Sequence, residues 1–474
     1  MVGKISNCRD RKIKRSQPHN SDRKRMTQTS LSETQSSVDL SALAKNAATI
    51  LALQTVGVTL TYLAQIFLAR WMGKTEYGLY EYVISWSLVL AIPASLGLPR
   101  AVLRFISEYR VRQEWGELRG LILSSWQLTA GVGLLLCLAA TEIIALLDRH
   151  ESFPYAPVLL IGVWLVPLQA LIQLQEDMAR GVDNIPLAYG PSKVLWPLLV
   201  LGSGFFLLHQ NLGLTGTSMI RMALLTLLII VVFQVSYLWF KFDREIGDVK
   251  PIYKSRQWLL VALPLLLDRT FEVLLTQTDI LMVGSLVGAG AVGIYSAAAK
   301  TALWANFVLQ SLNLVASPAY AILYAKGDRE GLQKVVGTVT LWIFAPSVAI
   351  SISLVIFAQP ILSVFGPEFV AAQWALKILI IGQLVDVLCG SVGNLMVMTG
   401  HQNKSVIVSS CCALVNVGLN AILIPQFGAV GAAIATTCTL GAWNVWLCIL
   451  VIKYIKINPS ILYSFGIGKN FVSD

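Results

Sequence analysis

Charge is what this sequence has least of. Asp, Glu, Lys and Arg supply 13% of its 474 residues, against about 25% in a soluble domain. A chain with so little charge cannot cover a water-facing surface of its own size, so lipid must solvate most of it. Histidine is also scarce. The four, His19, His150, His209 and His401, are scattered, and no Asp-x-Asp, Cys-x-x-Cys or mixed Cys/His spacing occurs. No metal site, cofactor or catalytic constellation is expected, and the chain reads as something other than an enzyme. Of the seven cysteines all but Cys8 lie in apolar runs, where they read as small core residues. A phosphate-binding loop is missing too. "GIGK" (466–469) has Tyr463 where the first glycine would stand and follows no strand, which argues against ATP hydrolysis. Residues 1–44 lack the apolar core of a signal peptide.

What is present is apolar. The chain is 55% hydrophobic, with a mean hydropathy of +0.67. Runs near the length needed to cross a bilayer, about 20 residues, fall at 47–69, 82–98, 121–147, 157–175, 193–209 and 217–240. Six more follow at 258–287, 291–323, 335–358, 373–398, 405–424 and 430–452. The expected architecture is all-α and integral to the membrane, with twelve spans in two sets of six. Residues 1–44 form a basic, disordered cytoplasmic tail suited to anionic headgroups, not to nucleic acid. An N-terminal lobe occupies 45–240, a cytoplasmic linker 241–257, a C-terminal lobe 258–453 and a cytoplasmic tail 454–474. The positive-inside rule supports the count. With both ends cytoplasmic, nineteen Lys and Arg lie on inner segments, the N-terminal tail aside, against Arg70, Lys74 and Arg149 outside. The predicted location is the cell membrane.

The two halves repeat. "GKTEYGLY" (73–80) and "GAGAVGIY" (288–295) lie 215 positions apart, matching Gly73 with Gly288, Gly78 with Gly293 and Tyr80 with Tyr295. "GLTG" (213–216) and "GAVG" (428–431) keep the same offset, and "GVDN" (181–184) is echoed by "GHQN" (400–403) at 219. Two halves that both start inside are parallel repeats, and transporters of that plan hold their substrate between the halves.

"LARWMGKTEYGLYEYVISW" (68–86), "TDILMVGSLVGAGAVGIYSAAAKTA" (278–302) and "LVNVGLNAILIPQFGAVGAAIATT" (414–437) resemble the polysaccharide-flippase branch of the multidrug/oligosaccharidyl-lipid/polysaccharide exporter superfamily. The resemblance covers roughly 45–455. It implies twelve helices, two lobes around a V-shaped cavity, and translocation of a polyprenyl-diphosphate-linked oligosaccharide from the cytoplasmic leaflet outward. The peptidoglycan-precursor branch carries two further C-terminal helices, and the polar residues after 455 do not supply them. Two alternatives stay open: a cation-coupled multidrug exporter of the same superfamily, and a membrane-embedded glycan polymerase.

The seventh run carries Asp268, Arg269, Glu272 and Asp279. At 100° per residue the three carboxylates fall within about 40° of one another, with Arg269 about 100° to the side. Each charge at the centre of a span costs about 2.5–3.5 kcal/mol against lipid, so these side chains must face protein or a wet cavity. Arg269 pairs with Glu272 at i, i+3 in the structural reading. In the functional reading a diphosphate headgroup meets Arg269 and Lys300 first, with Arg221, Lys377 and Gln54 as further cavity candidates. Asp268, Glu272, Asp279 and Asp386 are then candidates for gating or for coupling to H+ or Na+. Asp386 sits on a stripe with Gln383, Gly390 and Asn394. Pro264 should bend the seventh helix just before Asp268. "RAVLRFISEYRVRQEW" (100–115) reads as an amphipathic surface helix, with Leu103, Ile106 and Tyr109 on one side.

Overall fold

The computed structural model describes residues 40–150, 154–211 and 213–464, and side chains from Thr49 onward except those of 150, 268, 462 and 464. The basic tail up to residue 39, Lys469 and the side chain of Asp268 therefore lie outside the described residues. The described residues from Thr49 onward form one packed unit.

Among the described residues, ten helices are long and apolar enough to cross a membrane. One of them, Thr49–Ser95, is two spans, because Gly73 (φ 73°, ψ 170°) breaks it. Ser255–Leu286 crosses as well; its charges remove it from a count made on composition. Ten, plus one for the break and one for the charged helix, is twelve. Spans 1 and 2 are 49–72 and 74–95. Spans 3 to 6 are Trp115–Arg149, Ala156–Gly181, Ile185–His209 and Gly216–Ile246. Span 7 is Ser255–Leu286. Spans 8 to 12 are Ala289–Ala325, Arg329–Ile356, Pro367–Cys389, Gln402–Phe427 and Ala429–Ile455. The outer surface is apolar, with Phe205, Ile229, Phe240, Trp342 and Leu414 all exposed, as a lipid-solvated bundle requires.

The face where span 1 begins and span 12 ends is called here the near face, and the opposite one the far face. Spans 1 to 6 make one lobe and spans 7 to 12 the other. Equivalent glycines mark the repeat. Gly73 and Gly288 (φ 119°, ψ 171°) both lie in the positive-φ, extended-ψ region at the far-face turns 1–2 and 7–8, a region open essentially only to glycine. Five residues on, Gly78 of span 2 and Gly293 of span 8 meet across the lobe boundary. A Cβ on Gly78 would lie 1.8 Å from the carbonyl oxygen of Ala289, and one on Gly293 would lie 2.1 Å from that of Lys74. Residues 74 and 289 are repeat equivalents, so the contact is reciprocal. The lobes touch here backbone to backbone, the close approach that small residues permit in membranes.

Helix starts are set by local chemistry. At span 6, Thr215 and Ser218 form a capping box, and Glu76 accepts from the amide of Gly216 at 2.6 Å. At span 9, Asp328 accepts from the amide of Gly331 at 2.8 Å. Span 6 runs on to Ile246, so the non-helical connection between the lobes is 247–254 rather than 241–257. Arg119 ties it down through the carbonyls of Gly247 and Val249, at 3.0 and 3.1 Å. The tenth run ends at Cys389, because Gly390 (φ 74°) breaks it from the short helix Val392–Met398.

Surface helix Leu98–Arg112 packs against protein on one side. It buries Val102, Phe105, Ile106 and Tyr109, leaving Leu103 half-buried. Its Tyr109 hydroxyl accepts from the Trp258 indole of span 7 at 2.9 Å. A Cβ on Gly97 would lie 2.2 Å from the carbonyl of Ala262. Span 7 is thus shared between the lobes. Its near half, around Pro264, lies on the N-terminal lobe's surface helix, and its far half meets spans 11 and 12.

Candidate functional site

Between the lobes lies a cavity of about 810 Å³. Spans 7, 8, 10, 11 and 12 and the segment 390–397 form most of its wall, and the N-terminal lobe closes it with Glu81, Ile84, Ser85 and Leu88 of span 2 and with Arg100. The lining comes no nearer the far face than Glu81, Ile280, Tyr295, Leu379 and Thr436. On the near side it extends to Asn394, Val397 and Ser405. Beyond it, towards the far face, the lobes are plugged by rings. Tyr77 lies edge-on to Phe369 at 6.0 Å between centroids, and Phe369 packs on Phe365 at 6.0 Å; deeper, at the level of Thr301, Tyr62 lies edge-on to Trp304 and Phe365 at 5.5 and 5.7 Å. Glu368 adds a bond from the backbone amide of Lys74 at 2.6 Å.

Four polar clusters mark the walls. At mid-depth, Lys300 of span 8 meets Glu81 of span 2, with Nζ 2.6 Å from Oε1. Beside it Asp279 is buried and accepts three hydrogen bonds: from the Tyr295 hydroxyl at 2.6 Å, from the Asn420 amide at 2.8 Å and from the Thr436 hydroxyl. Asn420 also donates to Asn416 at 2.9 Å. Asp386, buried on span 10, accepts from Asn306 at 2.7 Å. Towards the near face, Glu272 bridges Arg100 at 3.2 Å and Arg269 at 2.9 Å.

The candidates from the sequence divide accordingly. Lys300, Glu272, Asp279 and Asp386 line the cavity. Arg269 does not; it is held to Glu272 on the same helix. Arg221 is exposed on span 6. Lys377 sits over the Trp374 ring, 4.8 Å from its centroid. Gln54, on span 1, is half-buried away from the lining. The Gln383–Asp386–Gly390–Asn394 stripe is not one helix face, because Gly390 ends the helix; all four still reach the cavity. Two lining charges were not foreseen. Glu81 stands one residue before the second apolar run, outside the span that hydropathy marks. Arg100 opens the surface helix and lies outside every apolar run, so the sequence gives no sign that it reaches the cavity. The cavity is therefore less basic than expected: Arg100 and Lys300 face four carboxylates, Glu81, Glu272, Asp279 and Asp386.

Comparison with known proteins settles the family. A family model described as "Polysaccharide biosynthesis protein" matches residues 43–323, more than half of the chain. The chain belongs to the polysaccharide biosynthesis protein family. The MatE model matches residues 264–422. Among curated proteins, the chain is 24% identical over 417 residues to the probable low-salt glycan biosynthesis flippase Agl15 of Haloferax volcanii, covering 85% of this chain and 82% of that one. It is 22% identical over 408 residues to an uncharacterized membrane protein of Methanocaldococcus jannaschii, covering 82% and 79%. Among solved structures, the inward closed conformation of the lipid II flippase MurJ superposes with a TM-score of 0.66 at 14% identity, over 88% of this chain and 91% of that one. An inward-facing multidrug resistance MATE family transporter gives 0.64 at 16%, over 86% and 99%. This member of the polysaccharide biosynthesis protein family thus shares its fold with MurJ and with the MATE transporters.

Proposed function

We propose that this chain carries a polyprenyl-diphosphate-linked glycan across the cell membrane by alternating access of the two lobes, for polysaccharide biosynthesis. The observation that carries the reading is the composition of the cavity wall. Two cations, Lys300 and Arg100, stand among amides and hydroxyls. Three buried side-chain carbonyls of that wall, on Asn306, Asn313 and Gln383, have no protein donor. The glycan's hydroxyls would meet the more open amides of the wall, Gln277, Gln310 and Asn394, and the cations suit a diphosphate. The polyprenyl tail stays in the lipid throughout.

In this reading both termini are cytoplasmic, the near face is the inner one, and the cavity opens to the side where cargo is made. The far-face ring plug must part for release. Asp279 is the coupling residue, binding H+ or Na+ as the lobes move, with Asp386, Glu272 and Asp268 as further candidates. Arg269 steers through Glu272, while Arg221, Lys377 and Gln54 act on the headgroup only from outside the wall. Deleting the gene in the native host tests the proposal. Lipid-linked oligosaccharide should accumulate on the cytoplasmic leaflet.

The four lining carboxylates favour a second reading, a cation-coupled multidrug exporter. Drug hypersensitivity with normal surface polysaccharide in the deletion strain would select it.

A further inference from the structure

The Glu81–Lys300 contact stands out once it is placed on the repeat. Glu81 lies three residues past Gly78 and Lys300 seven past Gly293, so the pair sits beside the point where the lobes touch. Lys300 leaves its own lobe and enters the other one, between the Glu81 carboxylate and the Tyr77 ring, 5.8 Å from its centroid. The offset of 215 maps Glu81 onto Ser296 and Lys300 onto Ser85. Each lobe thus has a charge where the other has a serine. The crossing itself uses glycines common to both halves, so the charges are an addition to the fold rather than a requirement of it.

The pair is also exclusive. Side-chain exposure is 4% for Glu81 and 25% for Lys300. Among the described residues no other oppositely charged group lies within ion-pair distance of either. Separating such a pair strands two charges in a low-dielectric wall unless each finds a substitute. Lys300 is the more open of the two and lines the cavity, so an anionic group on a cargo can reach it. A phosphate offers Lys300 a replacement partner. Glu81, also lining the cavity, is then left to water.

We propose that Glu81–Lys300 is a specificity lock across the lobe boundary: it holds the lobes closed on the far face until a diphosphate-type anion takes Lys300 from Glu81. Only cargo with an anionic headgroup then releases the lobes, and uncharged amphiphiles do not. Glu81 is a positioning residue in this scheme, acting through Lys300. The inference rests on the diphosphate-linked cargo proposed above.

The test uses the full chain in detergent or nanodiscs, with bioorthogonal spin labels at Gln210 and Phe357, exposed far-face positions of the two lobes. Pulsed dipolar spectroscopy reads their separation. In the wild type, one narrow distance is expected without ligand. A longer second population should appear with geranylgeranyl diphosphate and not with geranylgeraniol. Glu81→Gln should show the longer population with no anion present. If that single variant fails to fold, Glu81→Gln with Lys300→Met removes both charges and should show the same anion-free population. A lock-free variant that stays as narrow as the wild type overturns the lock. So does a wild type that opens equally for the uncharged alcohol. Native mass spectrometry separates the two ideas. Wild type that binds the diphosphate beside a narrow Glu81→Gln variant sinks the lock alone, whereas no diphosphate binding by the wild type sinks the cargo reading and the lock with it.

Discussion

Replacing Gly78 or Gly293 by Ala tests the reciprocal crossing on which both lobes bear. An added Cβ at Gly78 meets the Ala289 oxygen at 1.8 Å, and ordinary contact begins near 3.4 Å, so spans 2 and 8 must part by about 1.6 Å along that line. Both obstacles are backbone carbonyls, which cannot swing aside as a side-chain end can. Overpacking costs about 1–3 kcal/mol, and a clash with rigid backbone on both sides belongs at the upper end, which exceeds the roughly 1 kcal/mol that alanine gains over glycine in a helix. The two sites oppose each other's helix, so one separation relieves both. The double variant should therefore cost little more than either single one, a departure from additivity of the kind contacting residues show. Gly202→Ala is the control, since a Cβ there meets nothing within 4 Å. Thermal melting followed by size-exclusion chromatography supplies the measure. Singles that melt with the control would refute the crossing. Singles that lose stability and a double that loses the full sum would refute the shared separation.

Other perturbations follow from the site. Asp279→Asn keeps the volume but faces three donors, from Tyr295, Asn420 and Thr436, with one acceptor oxygen. It should cost about 1–3 kcal/mol of stability and abolish stimulation of transport by an ion gradient, and an unchanged gradient response in proteoliposomes would remove Asp279 from coupling. Arg100→Gln should weaken binding of a prenyl diphosphate more than Arg269→Gln, because Arg100 lines the cavity while Arg269 does not. The Arg269–Glu272 pair is about half-exposed and so contributes only about 0–1 kcal/mol to stability; a reversed order of the two affinities, measured by titration, would contradict the assignment.

The spans and the repeat were legible because lipid imposes length and apolarity, and because Gly73 and Gly288 occupy a backbone region no other residue adopts freely. The carboxylates of span 7 were legible for the same reason: charge at that depth needs a partner. What the sequence could not convey was the rotation of each helix against its neighbours. Lys377 and Lys300 look alike as lone cations in apolar runs, yet one lies on the Trp374 ring and the other reaches Glu81 across the lobe boundary. The Asp386 stripe assumed an unbroken helix through Gly390, which no periodicity argument can check. Glu81 escaped notice because a hydropathy run begins after it, although the helix begins at the Gly73 break.

Transfer of a fluorescent polyprenyl-diphosphate disaccharide between leaflets of proteoliposomes tests the central claim most directly. Wild type should move it and should ignore the same glycan on an uncharged polyprenol. Lys300→Gln should slow transfer by about tenfold or more, the equivalent of losing at least 1.4 kcal/mol. Equal movement of the uncharged glycolipid, or transport of a lipophilic cation with none of the diphosphate, would contradict the account.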